Sequence, residues 1–145
     1  MLFILNGPNL NLLGSRQTDV YGHETIELIK NKCEKMAGQF GHNLEFRQTN
    51  HEGILIDWVQ EAGFKGTGLI INGGGLTHTS VSLLDALLAI SIPIIEVHLS
   101  LTTKRETFRH HSFITPAAKG VIAGFGASGY TLALRALIEM INHRE

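Results

Sequence analysis

Short apolar runs alternate along the chain with longer segments whose apolar residues recur at helical spacing. Most of the short runs are dominated by aliphatic residues, which is typical of strands buried on both faces of a parallel sheet. One run instead alternates between apolar and polar residues, as expected for a half-exposed edge strand at 44–49. The predicted strands span residues 2–5, 44–49, 69–71, 92–98 and 121–123.

Apolar residues three or four positions apart predict amphipathic helices between and after these strands. The clearest stripe follows Thr25, a suitable N-cap residue, and stops at Gly41, a typical helix end. Segment 6–22 is predicted as a loop, and segment 100–119 is a polar connection. The helical stripes consist of Ile26, Ile29, Cys33, Met36 and Phe40; Ile54, Leu55, Trp58, Val59 and Ala62; Val81, Leu84, Leu87 and Leu88; and Leu132, Ala136, Leu137, Met140 and Ile141.

Strands that alternate with helices predict an α/β fold with a doubly wound, five-stranded parallel sheet. With 145 residues, the chain is expected to form a single domain spanning residues 1–145. The flavodoxin-like strand order 2-1-3-4-5 is the natural choice at this length. In that order strands one and three flank the switch point, where a crevice opens at their carboxyl ends.

Composition narrows the class of protein. The net charge of −1 and the pI near 6.7 argue against a nucleic-acid binder. Cys33 is the only cysteine, which excludes an intrachain disulfide framework and fits a reducing cytoplasm. The opening residues lack the basic start of a secretory signal. The uncharged segment 66–84 is too polar to span a membrane, so no membrane association is expected.

Two predicted loops border the crevice. One runs from Asn6 to Tyr21 after strand one, and the other from Asn72 to His78 after strand three. The second loop contains three consecutive glycines, which let a backbone turn tightly or approach a ligand closely. Both interpretations stay open, because glycine-rich turns also serve merely to reverse the chain. His98, at the end of strand four, lies next along the same edge.

Titratable side chains at this edge can move protons. Glu96 and His98 are two positions apart on a strand, so they point to the same face. There a carboxylate can orient the imidazole and favour its proton-donating form, although a purely structural pair is an equal alternative. Tyr21 follows Arg16 by five residues. A tyrosine base would need such a cation, with Arg109 as a second cation or as an anchor for a substrate carboxylate. Taken alone, Tyr21 is equally explained as an ordinary aromatic residue of the loop.

The remaining motifs and residues are better explained by structural roles than by a binding or catalytic site. Segment 124–129 matches the dinucleotide pattern G-x-G-x-x-G, but neither a following strand pattern nor an acidic residue about twenty positions on accompanies it. A tight, closely packed turn explains these glycines. The histidines of the polar connection show no compact metal-ligand spacing with His78 and His98. Cys33 is expected in the core, and no lysine is placed for an imine with a substrate ketone.

Several blocks of the sequence closely resemble the type II 3-dehydroquinate dehydratases, and together they span nearly the whole chain. The first block is segment 5–14, LNGPNLNLLG, which is followed by Arg16 and Tyr21-Gly22. Asp85 also falls at the family's spacing. The remaining blocks are Asn72 with Thr77-His78-Thr79-Ser80, Glu96-Val97-His98, Phe108-Arg109-His110-His111-Ser112 and Gly120-Val121-Ile122-Ala123-Gly124.

The resemblance implies a flavodoxin-like fold that assembles as a homo-oligomer, usually a dodecamer of trimers. It implies loss of water from 3-dehydroquinate to give 3-dehydroshikimate, in the shikimate pathway or in quinate catabolism. It also implies that the reaction uses neither a metal nor an organic cofactor.

The same resemblance assigns roles to individual residues. Tyr21, as phenolate, removes a proton next to the ketone, and Arg16 supports the phenolate. His98, oriented by Glu96, protonates the departing hydroxyl. Asn9 helps to hold a water that stabilises the enolate. The residues expected to hold the substrate's hydroxyls and carboxylate are Asn72, His78, Asp85, Leu99, Ser100 and Arg109.

Three positions depart from the family's usual pattern. Gln17-Thr18 replaces Glu-Pro and is expected to loosen the segment that carries Arg16. Gly73 replaces a proline and should add backbone freedom, while Leu101 replaces an asparagine and removes a polar side chain.

The competing class is a non-catalytic or nucleotide-binding flavodoxin-like module, which needs a phosphate loop after strand one. Pro8 in that loop offers no backbone donor, and a Walker lysine is missing there.

Overall fold

A five-stranded parallel sheet forms the centre of the molecule, with the strand order β2-β1-β3-β4-β5. The computed structural model describes residues 1–21 and 23–144, and the side chain of Tyr21 lies outside that description. The predicted flavodoxin-like order is confirmed. The strands are β1 (Leu2–Asn6), β2 (Leu44–Gln48), β3 (Gly68–Asn72), β4 (Ile94–His98) and β5 (Gly120–Ala123).

Helices connect and cover the strands. They are α1 (Thr18–Tyr21), α2 (Ile26–Gln39), α3 (Glu52–Lys65), α4 (Val81–Leu88) and α5 (Ser128–Asn142). Thr25 caps α2 as predicted, because its hydroxyl accepts a hydrogen bond from the Leu28 N–H at 3.3 Å. Ser80 caps α4 in the same way, from the Leu83 N–H at 2.9 Å. The prediction of an unbroken loop over 6–22 is wrong, because it contains α1 and a 3₁₀ turn at Leu10–Leu12.

Two apolar layers pack against opposite faces of the sheet. Alternate residues of β1 divide between them, with Leu2 and Ile4 facing α2 and α5 and with Phe3 and Leu5 facing α3 and α4. The central strands β1, β3 and β4 are buried throughout, whereas β2 is half-buried along its length. The sheet is therefore doubly wound, and the predicted edge strand is β2.

Some predicted helix stripes select the wrong residues. Val81 and Leu88 of α4 are exposed. Leu87 is buried as predicted, but the helix also packs through Leu83 and Ala86, which the stripe left out. Nearly every position of α4 is apolar, so the period alone does not select a face. Exposed residues were also included in the other stripes, namely Phe40, Ile54 and Leu132. Across the described residues, we find no helix with the length and apolarity needed to cross a membrane.

Candidate active site

A cleft of about 130 Å³ opens at the carboxyl ends of β1, β3 and β4. This is the switch point of the sheet, where the chain leaves neighbouring strands in opposite directions. The residues that line the cleft come from the last positions of β3 and β4 and from the segments that follow these three strands. They are Pro8, Asn9, Leu10, Leu13, Arg16, Asn72, Gly74, Gly75, His78, His98, Leu99, Ser100, Thr102, Arg105 and Arg109.

Most of the predicted site residues meet in this cleft. Glu96 is 1% exposed and contacts His98, so it supports the cleft without lining it. Asp85 does not join them, because it lies exposed on α4. The side chain of Tyr21 belongs to the part of the chain that the structure does not describe. Sequence reasoning did not assign Arg105 to the site, although the structure places it in the lining.

Three arginine side chains give the cleft a positive charge. Arg16, Arg105 and Arg109 all line it, and no acidic side chain occurs among its described lining residues. Arg109 is held by the Glu106 carboxylate, with Nε and Oε2 2.5 Å apart. That hydrogen bond holds the pKa of Glu106 below its usual value. The arrangement suits a small anionic ligand such as a carboxylate.

A buried pair of titratable groups reaches the cleft from β4. His98 Nε2 donates a hydrogen bond to Glu96 Oε2 at 2.5 Å. Burial opposes ionisation of Glu96, but hydrogen bonds from His98, Thr115 and Ser112 outweigh it and hold the pKa of the carboxyl below its usual value. Because the carboxylate fixes Nε2 as a donor, the Nδ1 nitrogen is left for a ligand.

Two hydroxyl groups complete the surroundings of Glu96. Thr115 donates to Oε1 at 2.6 Å, and Ser112 donates to Oε2 at 2.7 Å. The Ser112 hydroxyl also accepts hydrogen bonds from the N–H groups of Ile114 and Thr115, which fixes its direction. Both oxygens of the carboxylate are therefore satisfied, and Glu96 remains an acceptor for His98.

A second histidine faces the first across the cleft. The rings of His78 and His98 are nearly parallel, with centroids 6.4 Å apart. His78 Nδ1 lies 2.7 Å from the carbonyl oxygen of His111, so Nδ1 carries a proton and Nε2 remains as an acceptor. Partial burial lowers the pKa of His78, which favours the neutral ring. Within the described residues, no group of three or more His, Cys, Asp or Glu side chains is placed to hold a metal ion.

The loop after β1 is held against its neighbours. Asn9 adopts a left-handed conformation with φ of 71°, which asparagine tolerates better than most residues. Its N–H donates to Asn50 Oδ1 at 2.9 Å, and Gln48 donates to the carbonyl oxygen of Gly7 at 3.2 Å. The end of β2 thus fixes Asn9 at the rim, a role the sequence did not reveal.

The glycine at the start of that loop lies against the loop after β3. A Cβ added to Gly7 would lie 2.4 Å from the carbonyl oxygen of Gly73, and backbone cannot move aside as a side chain can. We therefore expect Gly7→Ala to destabilise the protein by about 1–3 kcal/mol, as overpacking does. It should also lower turnover by displacing Asn9. Chemical denaturation and a turnover assay measure the two effects.

Gly38 provides the matched control. A Cβ at this position of α2 would meet no heavy atom within 4 Å. Gly38→Ala should stabilise the protein slightly, because alanine favours the helix more than glycine does. A Gly7→Ala protein as stable and as active as the Gly38→Ala protein would contradict the prediction.

The structure shows the surroundings of two positions that depart from the family pattern. Gly73 has an ordinary φ of −73°, so it does not need glycine's backbone freedom. A Cβ there would lie 2.7 Å from both Ile114 Cδ1 and Thr77 Oγ1, so close packing explains the glycine. Leu101 is 41% exposed and is not part of the cleft lining. Neither substitution removes a polar group from the site.

Comparison with known proteins identifies the family. The family model described as dehydroquinase class II matches residues 1–138. A 3-dehydroquinate dehydratase of Dinoroseobacter shibae is 56% identical over 131 residues, covering 90% of this chain and 87% of that protein. A 3-dehydroquinate dehydratase 1 of Agrobacterium fabrum is 50% identical over 137 residues, covering 94% of each chain.

A solved structure agrees with these relatives. The crystal structure of a type II dehydroquinase from Butyrivibrio crossotus superposes with a TM-score of 0.92 at 42% sequence identity. The match covers 94% of this chain and 95% of that one. The family model, the sequence relatives and this solved structure point to the same family. The chain therefore belongs to the class II dehydroquinases.

Proposed function

We propose that this protein catalyses the loss of water from 3-dehydroquinate to give 3-dehydroshikimate, a step of the shikimate pathway or of quinate catabolism. The observation that carries the proposal is the buried Glu96–His98 pair in a cleft lined by arginines. Such a site offers a proton donor for a leaving hydroxyl and cations for a carboxylate. The relatives named as 3-dehydroquinate dehydratases, at about half sequence identity, support it.

The reaction proceeds in two proton transfers. Tyr21, as phenolate with Arg16 as its supporting cation, takes the proton next to the ketone, and the electron pair moves to the ketone oxygen as an enolate. Asn9 holds a water that stabilises this enolate. The enolate then collapses to the conjugated ketone, and the C–O bond to the leaving hydroxyl breaks. His98 gives a proton to that oxygen, which departs as water.

Substrate binding uses the remaining residues of the site. Asn72, His78 and the Leu99–Ser100 backbone hold hydroxyl groups, and Arg109 pairs with the carboxylate. Asp85 lies exposed on α4, outside the lining of this cleft, and we propose that it acts on substrate bound to a neighbouring copy of the chain. This fits a homo-oligomer, and we propose a dodecamer. We also propose that the single domain acts in the cytoplasm.

The decisive experiment is a direct assay. Purified protein is mixed with 3-dehydroquinate, and the ultraviolet absorbance of the conjugated product is followed. A protein that binds 3-dehydroquinate without forming this absorbance would overturn the proposed activity. Substrate turnover with a product of different absorbance would point to another reaction at the same site.

We expect full activity after exhaustive chelation and dialysis. The proposed steps use a side-chain base, a side-chain acid and fixed hydrogen bonds, so they need no Lewis acid. The measurement compares kcat before and after treatment with a chelator, with a mock-dialysed sample as the control. Activity that disappears on chelation and returns with a divalent metal would refute this prediction.

A further inference from the structure

A fully buried tyrosine links the ends of the two strands that form the switch point. Asn6 of β1 and Asn72 of β3 are register partners at the carboxyl ends of these strands. Tyr130 reaches them from the first turn of α5, and its side chain is 0% exposed. The Tyr130 hydroxyl lies 2.6 Å from Asn6 Oδ1 and 3.0 Å from Asn72 Nδ2. A single hydroxyl therefore contacts both asparagines.

The hydrogen bonds of this group can run in only one direction. Asn6 Nδ2 donates to the carbonyl oxygen of Arg47 at 3.0 Å, so Asn6 presents its oxygen to Tyr130. The tyrosine hydroxyl has one proton, and it is donated to that oxygen. The hydroxyl oxygen can then only accept, so Asn72 must present its Nδ2 group.

These hydrogen bonds also fix the orientation of the Asn72 side chain, which lines the cleft. With Nδ2 facing Tyr130, Asn72 Oδ1 accepts the N–H of Gly74 at 3.1 Å. Each end of the Asn72 amide is thus held by one partner, and one proton and one lone pair remain for a ligand. Asn72 is 3% exposed, so bulk water would not replace the Tyr130 hydroxyl at the Nδ2 end if that hydroxyl were removed.

We propose that Tyr130 is a positioning residue that fixes the amide orientation of Asn72 and thereby sets substrate affinity. The inference rests on the proposed function, because it assigns Asn72 to substrate binding. Tyr130 itself is fully buried and is not among the residues that line the cleft. Without its hydroxyl, only the Gly74 N–H holds the amide, so the Nδ2 end can tilt away from the direction in which the substrate needs it.

Tyr130→Phe tests the proposal, since it removes one oxygen and keeps the ring. We expect KM to rise about 5- to 20-fold, the effect of a lost or misdirected hydrogen bond, with a smaller change in kcat. In an Asn72→Ala background the same substitution should leave KM unchanged, because the amide it positions is gone. A tyrosine that serves only stability would act equally in both backgrounds.

Ile138→Val is the matched control for general destabilisation. Ile138 is also buried on α5 within the same apolar layer, 2% exposed. It should lower the melting temperature and leave KM unchanged. If Tyr130→Phe does not fold, Asn6→Leu takes its place, because a hydroxyl with no acceptor at Asn6 can rotate and donate to Asn72. Asn6→Leu should raise KM in the same Asn72-dependent way.

The outcomes separate this inference from the proposed activity. An inactive parent protein would defeat the proposed activity, and an independent NMR measurement then decides the positioning role. In the parent, the Asn72 Nδ2 proton directed at Tyr130 should be protected from exchange with water. An unprotected proton would overturn the inference. So would an active parent in which Tyr130→Phe leaves KM unchanged, or raises it equally with and without Asn72.

Discussion

His98→Asn is expected to lower kcat by about 10²- to 10⁴-fold, the contribution typical of a positioned general acid. Asparagine retains polarity at this buried position, where His98 is 7% exposed. The Ser112 and Thr115 hydroxyls still hold the Glu96 carboxylate in this variant, but the asparagine amide cannot release a proton at neutral pH. The substrate should therefore still bind, and the loss should fall on kcat rather than on KM.

Isotope exchange locates the step that fails. If His98 acts only on the leaving hydroxyl, the variant should still exchange the substrate's α-proton with deuterated solvent, provided that the first transfer is reversible. His143→Asn is the control, because His143 is exposed at the end of α5 on the opposite edge of the sheet. Near-parental kcat in His98→Asn would show that another group donates the proton.

Much of the fold could be predicted from the local pattern of apolar and polar residues. The buried strands β1, β3 and β4 were predicted because parallel strands covered on both faces read as apolar runs. The core position of Cys33 was also predicted, and burial raises the pKa of its thiol to about 12. The packing face of α4 was not predicted, because Val81 and Leu88 are exposed although they are as apolar as the buried Leu83 and Leu87.

The edge of the sheet that holds the site was predictable, but its supporting contacts were not. A polar residue at the end of a buried strand, such as Asn72 or His98, marks the ligand-binding edge. The groups that hold these residues come from distant parts of the chain. Tyr130 is 124 positions from Asn6, and Ser112 is 16 positions from Glu96. Such contacts arise from tertiary packing and leave no periodic signal.

Arg105 is another residue whose place in the cleft lining the sequence did not predict. The polar connection after β4 contains several cations, and sequence spacing alone did not separate those that face the cleft from those that do not. The 3₁₀ turns at Thr102–Lys104 and Thr107–Arg109 bring both Arg105 and Arg109 to the lining. Their directions depend on local hydrogen bonds, such as that from Arg105 to the Ser100 hydroxyl at 3.3 Å.

Tyr21→Phe is expected to reduce kcat by about 10²- to 10⁴-fold or more, because the variant lacks the ionisable oxygen that takes the substrate's proton. The substitution keeps the aromatic ring, so the substrate should still bind. Unlike His98→Asn, this variant should also lose α-proton exchange with solvent, since the first transfer is blocked. Near-normal turnover in Tyr21→Phe would overturn the assignment of Tyr21 as the base.

Substitutions of Arg16 provide a second test of Tyr21 as the base. A phenol titrates near 10, so a phenolate at neutral pH needs a cation beside it. Arg16→Ala should therefore be severely impaired, and Arg16→Lys, the matched variant that keeps a positive charge, should retain more activity.

An enzyme that forms an imine with its substrate would respond differently to borohydride, because the reagent would trap its lysine adduct during turnover. We expect borohydride with substrate to leave this protein active; substrate-dependent inactivation would show that a lysine, not Tyr21, carries the chemistry.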